Sequence, residues 1–197
     1  MFSAPASTLR GVLIVCLAST VLSADGAVVP VRGRAAVAGK PHANVVVWID
    51  APPGAAPAAQ RRVILDQRNL QFAPRVLAVQ TGTTVEFPNN DRVFHNVFSF
   101  RDGKRFDLGL YPIGSVKHVR FDKPGISRLF CNIHPQMAAY VVAVDSPHIA
   151  VSDEDGLFTL PDVPPGTYTY HAWRAAGSPI SGTVTVAPGV RLAIEWP

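Results

Sequence analysis

A chain of 197 residues can hold one large or two small domains. Its formal net charge of +4 is modest, and its basic residues are scattered, with no aromatic-interleaved patch of the kind that binds nucleic acid. The 18 prolines and 15 glycines punctuate short Val-rich runs, and no long segment has a helical period, so the expected class is all-β.

Residues 1–10 lead into an apolar run at 11–22 and then the small pair Ser23 and Ala24, the layout of a secretory signal peptide. The run is shorter than the roughly 20 residues a membrane span needs. Cleavage near Ala24 is expected, leaving a soluble periplasmic or secreted chain with no stable membrane insertion. Cys16 lies in this leader, but Val15 precedes it where a lipoprotein signal wants Gly or Ala. Removal of the leader takes one of the two cysteines and leaves Cys131 alone, so no internal disulfide can form.

Residues 28–35 and 44–50 read as strands joined through Gly39-Lys40-Pro41. The second alternates Val45, Val47 and Ile49 against Val46, Trp48 and Asp50, which predicts one core-facing side. The Pro- and Ala-rich residues 51–59 read as a linker. From residue 62 a complete small β-sandwich is predicted, with strand-like runs at 62–67, 72–74, 76–80, 83–87, 94–100, 106–110, 115–121, 126–131 and 139–145. Further runs follow at 148–152, 181–187 and 190–196, and residues 157–168 read as a strand, a tight Pro-Gly turn and the start of another strand. The acidic turn at 153–155 fails the calcium-loop template, because Gly156 as the sixth loop residue puts Val151 in the first ligand position; it reads as a plain β-turn.

The chemistry concentrates in Cys131-Asn132-Ile133-His134-Pro135-Gln136-Met137. A thiolate, an imidazole and a thioether fall three residues apart, and a tight loop can aim all three at one point. His95, in an apolar strand-like run, supplies a second imidazole. Soft and borderline ligands of this kind suit copper. His95, Cys131, His134 and Met137 therefore form a candidate site for one Cu(I)/Cu(II) ion, with the histidines and cysteine equatorial and the methionine a weak axial ligand. Structural zinc on the same residues is a further reading, for which Met137 is an odd choice. His42, His118, His148 and His171 are scattered and read as surface or packed side chains.

The series Asn89-Asn90-Asp91, His95-Asn96-Val97 and Cys131-x2-His134-x2-Met137 resembles the cupredoxin (type I blue copper) family, most of all amicyanin in the shortness of its loop, over roughly half of the chain. The resemblance implies a Greek-key β-sandwich and one-electron transfer with a transient redox protein partner. It implies that the His134 ring edge lies near the surface and that Ile133 and Pro135, with Met137, form an apolar docking collar. It also implies that the Asn96 side chain ties the His95 strand to the copper loop while its backbone amide points at the Cys131 sulfur. Phe94, Phe98, Phe100 and Phe130 read as core that keeps water off the metal. Cupredoxin-fold enzymes usually add a second copper centre in His-x-His or His-Cys-His arrangements, which the sequence lacks, so no catalysis is expected.

The later series Asp155-Gly156, Phe158-Thr159-Leu160 and Val163-Pro164-Pro165-Gly166-Thr167-Tyr168 resembles the carboxypeptidase-regulatory-like, or transthyretin-like, β-sandwich, whose first strands look like residues 33–48. The economical arrangement is an insertion: a signal peptide at 1–24, first strands of the smaller sandwich at 25–54, a cupredoxin domain at 55–146, and the rest of the smaller sandwich at 147–197. Two other functions fit the same residues. One is copper buffering, delivery or tolerance in the periplasm; the other is an adhesion or scaffold module with an accessory copper site.

Overall fold

A computed structural model describes residues 27–51, 62–100 and 102–197. The leader at 1–24 and all of the linker at 51–59 except Ala51 lie outside the described residues. These contain strands and turns, and no helix among them is long and apolar enough to cross a membrane.

Three strands open the chain: β1 (Val29–Val37), β2 (Lys40–Pro41) and β3 (Val46–Ile49). Ten follow: β4 (Val63–Ile64), β5 (Asp66–Arg68), β6 (Gln71–Ala73), β7 (Val76–Gln80), β8 (Thr84–Pro88), β9 (His95–Ser99), β10 (Phe106–Tyr111), β11 (Val116–Arg120), β12 (Gly125–Phe130) and β13 (Ala138–Val144). The last five are β14 (Ile149–Val151), β15 (Leu157–Val163), β16 (Gly166–Trp173), β17 (Ile180–Val186) and β18 (Arg191–Trp196). The run at 62–67, read as one strand, is broken at Leu65: β4 pairs with β8, whereas β5 turns away to form a hairpin with β6.

Pairing divides the strands into two groups. Strand β1 lies between β15 and β18, with β2 on its end, and β3 lies between β14 and β16, with β17 beyond. The N-terminal strands thus join sheets whose other members come after residue 148. Between them, β10-β9-β12-β13-β7 forms a five-stranded sheet and β11-β8-β4 a three-stranded one. Period-two alternation builds each core: Leu192, Ile194 and Trp196 of β18 point in while Arg191, Ala193 and Glu195 point out. Val31, Val47, Leu160 and Ile194 fill one core; Leu65, Phe87, Val97, Leu129 and Val141 fill the other.

Strand β3 departs from the one-sided burial its alternation predicts, because Val45, Val46, Val47 and Ile49 are all buried. Val46 meets Trp173, Val76, Val142 and Val144 in a third apolar cluster. Strand β13 is covered on both faces in the same way, with Val141 and Ala143 turned into one core and Val142 and Val144 into the joint. The two sandwiches are therefore packed sheet against sheet, and each fully buried apolar side chain of the joint contributes about 1.5–3 kcal/mol.

Gly33 sits where β1 is flanked by Phe158 of β15 and Leu192 of β18. A Cβ added there overlaps the Phe158 ring and the Leu192 carbonyl oxygen, and the carbonyl belongs to the sheet backbone, which cannot yield. Gly33→Ala is expected to destabilise the chain by about 1–3 kcal/mol, read as a lower urea midpoint with an unchanged denaturant slope.

Candidate metal centre

Strand β9 begins at His95, and its antiparallel neighbour β12 ends at Phe130, so Cys131 emerges beside His95. The chain then makes the turn 131–137, closed by the Met137 amide donating to the His134 carbonyl at 2.9 Å, and re-enters the sheet as β13. That turn folds His134 back over the strand ends. His95 Nδ1 lies 3.0 Å from His134 Nδ1, and the Cys131 sulfur lies 3.6 Å from His134 Nδ1 and 4.0 Å from His95 Nδ1. His95 is fully buried and Cys131 nearly so, while His134 is half-buried. Two ligands bonded to one ion at about 2.0–2.3 Å stand about 3–4 Å apart at ordinary coordination angles, so the three donors are spaced to share an ion.

The protonation of His95 follows from its other nitrogen. Nε2 lies 3.0 Å from Asp91 Oδ2. The Asp91 carboxylate also accepts the Leu70 amide at 2.7 Å and the Arg92 amide at 2.8 Å. These donors, Leu70 first, hold its carboxyl down at about 2 against the opposing effect of burial. A carboxylate ionised at neutral pH only accepts, so Nε2 carries a proton and, in the neutral ring, Nδ1 presents its lone pair to Cys131 and His134. A lone pair facing a second ring nitrogen and a sulfur at this range calls for a proton or a cation between them. The donor set of two imidazoles and one sulfur fits copper or zinc.

A polar scaffold sets this orientation. Asn89 is fully buried; its Nδ2 donates to the Val93 and Tyr111 carbonyls, and its Oδ1 accepts the Asp91 amide at 3.0 Å. Tyr111 is paired with His95 across β10 and β9. Its hydroxyl donates to the Phe87 carbonyl and accepts from Gln67, and burial pushes its phenol well above the usual range. Sequence reasoning quoted Asn89 and Asp91 without giving them work. The available signal was a carboxylate four residues before a histidine in a buried segment.

Met137 is fully buried in the core cluster that also holds Cys131. Ile133 and Pro135 are exposed on the turn beside the half-buried His134. The Asn96 amide lies 3.5 Å from the Cys131 sulfur. Its side chain, expected to reach the copper loop, instead donates to Asp107 Oδ1 on β10 at 2.6 Å, because the charged acceptor on the adjacent strand is the stronger partner. The aromatic residues read as core also differ. Phe94 and Phe100 are exposed; Phe98 and Phe130, directly opposite each other on β9 and β12, are half-buried. Phe98, Phe100 and Phe130 form a cluster with the Arg128 guanidinium 4.7 Å from the Phe130 ring centre. Alternation turns them outward, since Val97 and Leu129 take the inward positions.

The other histidines stand apart. His148 Nδ1 meets the Pro161 carbonyl at 2.9 Å, and His171 meets Asp50 while stacking on Trp48. His118 lies on the surface near Glu86. Among the described residues, His95, Cys131 and His134 are the one group of three or more His, Cys, Asp or Glu side chains placed to hold a metal. The acidic turn is a closed hydrogen-bonded turn, with Asp153 Oδ1 accepting the Asp155 and Leu157 amides.

No protein-family model matches this chain, and no curated protein matches it. Several solved structures are similar to part of it. A Cu-containing nitrite reductase (NirK) from Thermus scotoductus SA-01 is 26% identical over 47% of this chain, with a TM-score of 0.41. The match spans 24% of that enzyme, so this chain corresponds to about a quarter of its length. A purple cupredoxin from Nitrosopumilus maritimus is 25% identical over 41% of this chain and 98% of its own, with a TM-score of 0.38. A mutant of amicyanin in its Cu(I) state is 22% identical over 49% of this chain and 97% of its own, with a TM-score of 0.40.

Asp91→Asn removes the acceptor that holds His95 in one tautomer, and metal affinity is expected to fall by about 10–100-fold, read by competition with a chromophoric chelator. The same substitution tests acid stability. A carboxyl lowered from 3.8 to about 2 on folding stabilises the native chain above pH 4, and that contribution fades as pH falls toward 2. Urea melts of the metal-free variant are expected to show a shallower loss of stability between pH 4 and pH 2 than the parent.

Proposed function

We propose that this chain is an exported mononuclear copper protein that carries single electrons between redox partners. His95, Cys131 and His134 are the equatorial ligands and Met137 the weak axial one. The observation that carries the reading is the convergence of two Nδ1 atoms and one sulfur within 4.0 Å, with His95 already turned by Asp91 into the tautomer that ligates through Nδ1. Copper bound there supplies a Cu(I)/Cu(II) couple, and a mixed nitrogen and sulfur set suits both oxidation states.

The chain's own part is to hold the donors still and dry. His95 is anchored in β9, Cys131 directly follows its neighbour β12, and the Asn96 amide donates toward the sulfur at 3.5 Å. Met137 is pinned by its amide to His134 and by the core around it. Donors that do not move between redox states keep the rearrangement on electron transfer small. His134 is the most exposed of the donors and stands beside Ile133 and Pro135, so a transient redox protein docks on this face and exchanges electrons through the imidazole edge. Four donors leave no open position for a substrate, which supports a carrier over a catalyst.

Copper buffering or delivery uses the same residues. The burial of His95, Cys131 and Met137 favours slow metal exchange and hence the carrier reading. In the same proposal, residues 25–54 and 147–197 make one transthyretin-like sandwich interrupted by the copper domain at 55–146. The support is the pairing of β1 with β15 and β18 and of β3 with β14 and β16.

The chain loaded with one equivalent of Cu(II) is expected to show an intense thiolate-to-copper absorption band that ascorbate bleaches and reoxidation restores. Cys131→Ser is expected to abolish the band, and Met137→Gln to keep it while lowering the reduction potential. A colourless Cu(II) complex, or a band retained in Cys131→Ser, overturns the assignment.

A further inference from the structure

A cavity of about 510 Å³ opens beside the metal centre, between the β5–β6 hairpin and the end of the turn 131–137. Its volume is in the range of small-molecule sites. Its polar lining residues, all exposed, are Arg75, Asn69, Gln71 and Gln136: one guanidinium and three primary amides, with no carboxylate among them. Among the described residues, none of these side chains is engaged by another protein group, and Arg75 has no ion-pair partner. The remainder is apolar, formed by Leu70, Phe72, Met137 and Ala138.

The hairpin that forms one wall is held in an unusual conformation. Asn69 and Leu70 make its two-residue turn with φ of 53° and 57°. The second such position ordinarily takes glycine, and left-handed backbone is costly for leucine. Leucine there lines the cavity while its amide donates to Asp91 at 2.7 Å.

We propose that this cleft binds a small organic carboxylate. The planar Arg75 fork takes the carboxylate in paired hydrogen bonds, with the amides of Asn69, Gln71 and Gln136 as further donors. The body of the ligand lies on Leu70 and Phe72. A bare inorganic anion leaves that half of the lining uncovered, and a neutral ligand leaves Arg75 unpaired. None of the groups assigned to the carboxylate is one of the four metal donors of the proposed function, of which Met137 alone shares a wall with the cleft.

Benzoate is the probe, titrated into the whole chain, metal-free and metal-loaded, and followed by two-dimensional ¹⁵N–¹H NMR. Saturable shifts confined to the amides of residues 69–72, 75 and 136–138 are expected in both forms. Benzamide, of the same shape without the charge, and inorganic phosphate are each expected to bind at least about tenfold more weakly. Arg75→Gln, a surface change with an unchanged urea midpoint, is expected to weaken benzoate by at least about tenfold. Absent or scattered shifts, equal binding of benzamide or phosphate, or unaltered binding by Arg75→Gln each overturns the proposal. Because the metal-free chain is measured, these outcomes are separate from the copper reading.

Discussion

The hydrogen bond from His95 Nε2 to Asp91 is the constraint on which the centre depends. It decides which ring nitrogen faces Cys131 and His134, and it does so before any metal arrives. Two backbone amides fix the orientation of the Asp91 carboxylate, and Asn89 holds its segment against β10. One donor to Asp91 comes from Leu70 on the β5–β6 hairpin, so the inner face of the site is braced from a segment outside the two sheets. The fully buried Asn89, Gln67 and His95 form a polar seam through an apolar sandwich, tolerable because nearly every polar atom finds a partner.

The second constraint is the joint between the sandwiches. Val142 and Val144 leave the same strand as Val141 and Ala143 but point the other way, into a layer shared with Val46 and Trp173. A strand buried on both faces does not tolerate slippage of register. Strand β13 is also the strand that receives the chain from the turn 131–137, and it is paired along its length with β12, which delivers Cys131. The apolar joint and the donor cluster therefore share one rigid strand, and the smaller sandwich backs the sheet that carries the centre.

What was legible in the sequence was what neighbours within a few positions decide. Short apolar runs bounded by Pro and Gly placed most strands to within one or two residues, since turn residues act on the backbone where they stand. Cys131, His134 and Met137 were legible as a set because three-residue spacing on a tight turn is local. The outward turn of Phe98 and Phe130 was missed although it follows alternation, because aromatic residues were assigned to the core by type rather than by phase. The Asn96 side chain was misplaced because its acceptor, Asp107, stands on a neighbouring strand across an irregular register.

By itself the sequence determined the all-β class, the positions of its turns and the soft-donor spacing of the loop. Each depends on backbone preferences and side-chain order over a short stretch. Only the tertiary structure decided that Asp91, among all the carboxylates, faces His95, that Val46 and Trp173 are buried between two sandwiches, and that Arg75 is left without an acid in a cleft beside Met137. Those outcomes rest on contacts between segments far apart in the chain, of which the bond from the Val45 amide to Ser152, 107 positions away, is one. Local pattern carries no information about which distant segment completes a partner set, because that choice is made by the packing of all the sheets together.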